Sequence, residues 1–344
     1  MPQASSAHHP NASAPGADAH RVQPANVTAR FMQCEPHWPR LFVLGAQKAA
    51  TTTLAASLQH GGASLTHQHC HRMVGMRSPM FGCVNGTCKE NHVLASCLSS
   101  CSKYPRLFSS DDGLDATPDN LASPRAAGLL ASMMPNELHA RVRFIVSLRE
   151  PVGRAHSWYR NRVEAALAGG PSASFGFCGQ SRRGPSHIPP FERELMCSIH
   201  EELSTARHSP HYGSAIASGR YNESLGRWRK HWNRRQILVL NYGTLLSDDM
   251  QPVIESLRSF TGLAIPRAFG HLNERGGAPL HAPNASDEAM CTALDGAFAY
   301  YAPFTTSLYS MLENDHPDAC PPEEPPFGRF PPFALCAAHA LAHA

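Results

Sequence analysis

One lysine followed by three consecutive threonines is the grouping near the start of the chain best suited to chemistry. Leu41-Phe42-Val43-Leu44 is an apolar run closed by Gly45, and Ala46-Gln47-Lys48-Ala49-Ala50 is a short turn. Thr51-Thr52-Thr53-Leu54 then opens a small-residue helical pattern that ends near Gln59. Read as strand, loop and helix, this places threonine hydroxyls and free backbone N–H groups at a helix N-terminus, where anions are favoured. Lys48 adds a point charge to the same anion. A phosphate or sulfate belongs there.

A second grouping has the same form. Arg143-Phe144-Ile145-Val146-Ser147-Leu148 reads as a buried strand ending at Arg149, and Pro151 takes a first helical position ahead of Ser157, Trp158 and Tyr159. Arginine binds phosphate oxygens in pairs through its planar fork, and a serine hydroxyl or helix-terminal N–H completes the shell. Taken alone, Arg149 is also compatible with a structural salt bridge to Glu150.

The phosphate loop of nucleotide hydrolases requires Gly-x-x-x-x-Gly-Lys-Ser/Thr. Lys48 comes three residues after Gly45, and Ala50 stands where a second glycine is expected, so that pattern fails. The stretch instead resembles the 5′-phosphosulfate loop of the sulfotransferases that use 3′-phosphoadenosine 5′-phosphosulfate (PAPS), particularly the carbohydrate, heparan-sulfate-like branch. Arg149 and Ser157, eight residues apart, resemble the 3′-phosphate motif of the same family. The resemblance implies that Gln47, Lys48, Ala49, Ala50, Thr51, Thr52 and Thr53 hold the 5′-phosphosulfate, with Lys48 catalytic, and that Arg149 and Ser157 anchor the 3′-phosphate. It implies no metal.

In that branch a Lys-Glu-Pro-x-Phe-Phe element supplies a glutamate base for the acceptor hydroxyl. Arg77-Ser78-Pro79-Met80-Phe81 resembles it with serine at the glutamate position, and a serine without a partner is no base near neutral pH. Substitute candidates are His67, His69, His71 and His92, plus Asp115 in a segment similar to the family's substrate-lining Ser-Pro or Thr-Pro loop. Leu272 to Gly277 is read as a loop covering the nucleotide, and Arg154, Arg160 and Arg162 as facing either an anionic substrate or solvent.

Composition bounds the rest. The chain has 344 residues, 42% hydrophobic and 17% charged, with a net charge of +3, which fits a globular protein and gives no argument for nucleic acid. Its 21 histidines would make the surface cationic in mild acid, a field that suits an anionic polysaccharide. Five Asn-x-Ser/Thr sequons, at Asn11, Asn26, Asn85, Asn222 and Asn284, exceed the about two expected by chance. Eleven cysteines point to an oxidising lumen. Cys70, Cys83, Cys88, Cys97 and Cys101 crowd one region, Cys178 and Cys197 flank a segment whose loop they could close, and Cys291 with Cys320 could tie the last helix to the tail, the partners not being deducible from sequence. Zinc held by the cysteine cluster and its neighbouring histidines is the competing reading of that cluster. No apolar run of about eighteen residues occurs, so no membrane anchor is expected in this chain.

The expected organisation is a disordered stem over residues 1–39, a sulfotransferase domain over 40–315 and a proline-rich tail over 316–344. The domain is expected to carry a Cys-rich insertion at about 67–105 and a loop insertion at about 169–209. The fold class is α/β, a P-loop-like three-layer arrangement of a central parallel sheet with helices on both faces. The function implied is sulfuryl transfer from PAPS to a carbohydrate hydroxyl, leaving 3′-phosphoadenosine 5′-phosphate, in the secretory pathway and most simply the Golgi lumen. The alternatives are a nucleotide- or glycan-binding protein that has lost its base, and a protein-tyrosine sulfotransferase.

Overall fold

A computed structural model of the chain describes residues 36–67, 81–84, 87–96, 101–168, 177–178, 188–204, 215–247, 249–266, 288–313 and 327–330. These all fall within the unit Cys34–Ala344. Residues 1–35 of the expected stem, Ser78, His69, His71 and the Leu272 to Gly277 loop lie outside the described residues.

The strands are β1 (Leu41–Gly45), β2 (Ser64–His67), β3 (Phe81–Val84), β4 (Thr87–Glu90), β5 (Gly113–Asp115), β6 (Arg143–Leu148) and β7 (Ile237–Asn241). The helices are α1 (Thr51–His60), α2 (Val93–Ser96), α3 (Ala126–Met133), α4 (Asn136–His139), α5 (Pro151–Leu167), α6 (Phe191–Ser204), α7 (Tyr221–Arg229), α8 (Gln251–Thr261) and α9 (Glu288–Glu313). One seven-stranded sheet runs β3-β4-β2-β5-β1-β6-β7. The five strands from β2 to β7 are mutually parallel, while β4 is antiparallel to β2 and β3 antiparallel to β4.

Strand alternation explains the three layers. Phe42, Leu44, Phe144, Val146, Ile237 and Val239 enter one core with α3 and α7, centred on the fully buried Trp228. Leu41, Val43, Ile145, Leu238 and Leu240 point the other way, onto Leu54 and Leu58 of α1 and Ile254 and Leu257 of α8. Successive side chains on a strand face opposite sides, so strands covered on both faces must be apolar throughout, as these are. Each such side chain, fully buried, contributes about 1.5–3 kcal/mol.

The helix start read at Pro151 holds. Pro151 starts α5, with the Glu150 carboxylate accepting from Val152 N–H at 2.9 Å and Gly153 N–H at 2.5 Å. Gly262, at φ 72°, ends α8 in the left-handed conformation that glycine adopts without strain. The 67–105 segment is more than an insertion, because β3 and β4 extend the main sheet from β2. Part of the tail is ordered against the sheet: Asn241 Nδ2 donates to the carbonyl of Gly328 at 2.8 Å, and Phe330 packs on Tyr309.

Chain order reverses direction across the sheet at β1, with β5 and β2 on one side and β6 and β7 on the other. In open α/β sheets a ligand crevice forms beyond the strand ends at such a point. The loop carrying Lys48 follows β1 directly.

Candidate active site

The loop from Gly45 to Ala50 is tightly specified. Gly45 has φ 147°, and a Cβ there would meet the Pro118 carbonyl oxygen at 2.5 Å, so only glycine lets β1 pass that segment. Lys48 and Ala50 both have positive φ, at 70° and 60°. That conformation is costly for residues with a Cβ, and strain of this kind gathers at ligand-binding turns. Ala50 is the N-cap of α1 and provides no side-chain cap, and no acidic residue lies in the helix's first turn. Thr51, Thr52 and Thr53 form that turn, so its positive end is left for an anion. Gln47 and Lys48 are half-buried, and Ala49 is buried, tying the loop to the core.

Arg149 arrives at the same place from β6. Its Nη1 donates to the Lys48 carbonyl at 3.4 Å, and its guanidinium lies over the Tyr242 ring at 4.8 Å. Lys48 Nζ donates to Asn161 Oδ1 at 2.6 Å. Asn161 is four residues beyond the half-buried Ser157 on α5, hence on the same helix face. Lys48, Arg149 and the Ser157 face are therefore neighbours. The carboxylate of Glu150 serves as the N-cap of α5, which leaves little support for reading Arg149 as its structural salt-bridge partner. His156, beside Ser157, packs edge-on against Phe191 at 4.8 Å; burial, then the charges of Arg160 and Arg149, lower it to about 4.

Strand β4 brings an unanticipated group to the start of α1. Lys89, 7% exposed, donates from Nζ to Thr51 Oγ1 at 3.3 Å, Thr52 Oγ1 at 3.1 Å and Glu90 Oε1 at 2.6 Å. His92 links Glu90 to a further acid: its Nε2 is 3.1 Å from Glu90 Oε2 and its Nδ1 is 3.0 Å from Asp119 Oδ2. Burial raises the Glu90 carboxyl, but the hydrogen bond from His92 and the charge and hydrogen bond of Lys89 outweigh it, taking Glu90 down to about 2. Burial lowers His92, yet hydrogen bonds to Asp119 and Glu90 win and raise it to about 9. At neutral pH this is an ionised carboxylate held between two cations.

The remaining candidates fall differently. Asp115 is fully buried and accepts from Tyr104 Oη at 2.7 Å, Thr117 Oγ1 at 2.7 Å and Thr117 N–H at 3.0 Å. It is a structural anchor rather than a base. Thr117 Oγ1 in turn accepts from Asn91 N–H at 3.1 Å and His92 N–H at 3.4 Å, fixing the turn that presents His92. His67 ends β2, away from the β4 terminus that carries Glu90, since it pairs with Thr87. Arg154 and Arg162 face neither substrate nor solvent: Arg154 is wholly buried and bonded to the Ala215 carbonyl, and Arg162 pairs with Glu194 at 3.1 Å. Cys88 and Cys101 are disulfide-bonded, which removes them from any zinc set.

The reading from sequence missed Lys89, Glu90, Asp119 and Asn161. A signal for the first two existed. Asn85-Gly86 is a two-residue hairpin signal in the sequence, and a Lys-Glu pair, Lys89-Glu90, stands at the end of the strand that follows it.

The family model described as "Sulfotransferase domain" matches residues 39–274. The chain belongs to this family. A crystal structure of a sulfotransferase from Alicyclobacillus acidocaldarius shares the fold at a TM-score of 0.50 and 18% identity, over 81% of this chain and 97% of that one. A sulfotransferase domain from the curacin biosynthetic pathway is 12% identical at a TM-score of 0.35, over 67% of this chain and 75% of that one. No curated protein matches the chain. For a sulfotransferase the cation set is chemically apt. Lys48, Lys89 and Arg149 surround an uncapped helix start, an arrangement that fits an anionic sulfate donor and a phosphate leaving group. The same sulfotransferase domain places a carboxylate, Glu90, one side chain away from that helix start.

Proposed function

We propose that this sulfotransferase moves the sulfuryl group of PAPS to a carbohydrate hydroxyl, with Glu90 as the general base. The observation that carries the reading is that Arg149 reaches the Lys48 loop leading into α1 while the Lys89–Glu90 pair reaches the first turn of the same helix. Thr51 to Thr53 and Lys48 bind the 5′-phosphosulfate, and Arg149 with Ser157 binds the 3′-phosphate. The acceptor oxygen forms its bond to sulfur as the bond from sulfur to the phosphate oxygen breaks. The hydroxyl proton passes to Glu90, while Lys48 stabilises the charge on the departing phosphate. Sulfuryl transfer resembles phosphoryl transfer in spreading charge over equatorial oxygens, so positioning and fixed cations supply most of the catalysis.

The carbohydrate class is supported by Lys89-Glu90, which matches the first two residues of the Lys-Glu-Pro-x-Phe-Phe element of the heparan-sulfate-like branch and departs from it at Asn91, Val93 and Leu94. The cysteines support an oxidising, secretory compartment: Cys178 is bonded to Cys197, and Cys88, Cys101 and Cys291 are also disulfide-bonded. Of the five sequons only Asn222 is among the described residues, half-buried in the first turn of α7. The test is transfer of radiolabelled sulfate from PAPS onto a panel of desulfated polysaccharides, with tyrosine peptides as a second arm. Label on a polysaccharide is the expected result, label confined to peptides overturns the acceptor class, and no label on either overturns the activity.

A further inference from the structure

We propose that Lys89 is a positioning residue that couples arrival of the donor anion to the strength of the base. The inference rests on the sulfuryl-transfer reading above and adds a residue to it.

An ammonium has three donors and no acceptor. Lys89 directs its donors to Thr51 Oγ1, Thr52 Oγ1 and Glu90 Oε1. Each threonine oxygen thus receives a hydrogen bond from inside the protein, and its own O–H must point elsewhere. The hydroxyls in the first turn of α1 become donors for an anion beyond the helix end. Without Lys89 they would be free to rotate.

The same ammonium stands at the unfavourable end of a helix. A cation at an N-terminus opposes the helix dipole, and α1 has neither an acid in its first turn nor a capping side chain to offset it. Glu90 provides that offset from β4. An arriving phosphosulfate supplies a second negative charge at Thr51 and Thr52 and draws the ammonium toward itself. The groups facing Glu90 are Lys89 from β4 itself and His92 from the following turn, with Asp119 behind His92. As Lys89's hold weakens, the Glu90 carboxyl, resting at about 2, rises toward the range where a carboxylate accepts a proton well. Glu90 is a poor base until the donor is in place.

The test compares Lys89→Met and Lys89→Arg with wild type. Calorimetry measures affinity for 3′-phosphoadenosine 5′-phosphate, and the acid limb of kcat/KM for PAPS reports Glu90 in the free enzyme. In Lys89→Met the affinity falls about tenfold or more and the acid limb moves about one pH unit higher, while Lys89→Arg recovers most of the affinity. A purely structural lysine would lower the melting temperature and move neither quantity. A folded Lys89→Met protein with unchanged affinity, or with an unmoved acid limb, overturns the coupling. If that variant matches a wild type that binds and transfers, only the role of Lys89 falls. If wild type binds no 3′-phosphoadenosine 5′-phosphate, the sulfuryl-transfer reading falls and this inference goes with it.

Discussion

Glutamine at position 90 removes the proposed base while keeping its shape. The Glu90 carboxylate meets Lys89 Nζ at 2.6 Å and His92 Nε2 at 3.1 Å. Glutamine retains one acceptor but turns the other position into an NH₂ facing a cationic donor, and it cannot take the acceptor's proton near neutral pH. General-base catalysis contributes about 10²–10⁴-fold, or about 3–5 kcal/mol at 1.36 kcal/mol per tenfold. Glu90→Gln should therefore lose turnover by that factor. Affinity for 3′-phosphoadenosine 5′-phosphate should be unchanged or higher, because a negative charge beside the anion site has gone. Initial rates with radiolabelled PAPS and calorimetry on the same preparation separate the two effects. Turnover within about fivefold of wild type, or a loss of affinity that matches the loss of turnover, would refute the assignment.

Other perturbations probe the same contacts. Lys48→Ala should lower turnover about 10²–10³-fold in the transfer assay while leaving measurable nucleotide binding, because the role proposed for Lys48 is on charge that develops during transfer. His92 rests at about 9 in the folded chain against an ordinary 6.5, so its pairing stabilises the fold fully below pH 6.5 and is lost as pH rises through 9. Denaturant melts should show stability falling by on the order of 3 kcal/mol across that window, and His92→Gln should flatten the slope. Removing the Cys178–Cys197 bond, which closes a sequence separation of 19, by Cys178→Ser with Cys197→Ser should cost about 3 kcal/mol in chemical denaturation; a loss under about 0.5 kcal/mol would show that the bond does not constrain the chain.

The parallel core was legible because its strands are apolar runs bounded by recognisable stops. Leu41–Gly45, Arg143–Leu148 and Ile237–Asn241 each run into a turn whose residues mark the strand's end, and Gly262 ends α8. The pairing of Lys48 with Arg149 was legible from two motifs in order, and the two residues are joined at 3.4 Å. Glu90 was not. Thr87-Cys88-Lys89-Glu90 has no apolar alternation, and its burial makes sense only once Thr51, His92 and Asp119 close around it. Sequence patterns favour polar residues outside, so a satisfied polar network inside is invisible to them. Arg162 was misplaced for a related reason. It lies on the buried face of α5 with Tyr159, Val163 and Ala166, where its charge is matched by Glu194 on a different helix.

Selective binding tests most directly the proposal that Lys48 and Arg149 together grip one nucleotide phosphorylated at both ends. Calorimetry of wild type and Arg149→Ala with 3′-phosphoadenosine 5′-phosphate and with adenosine 5′-phosphate isolates the 3′ contact. The expected result is a preference of about tenfold or more for the doubly phosphorylated nucleotide that disappears in Arg149→Ala. Equal affinity of wild type for the two nucleotides, or a preference that survives in Arg149→Ala, would contradict it.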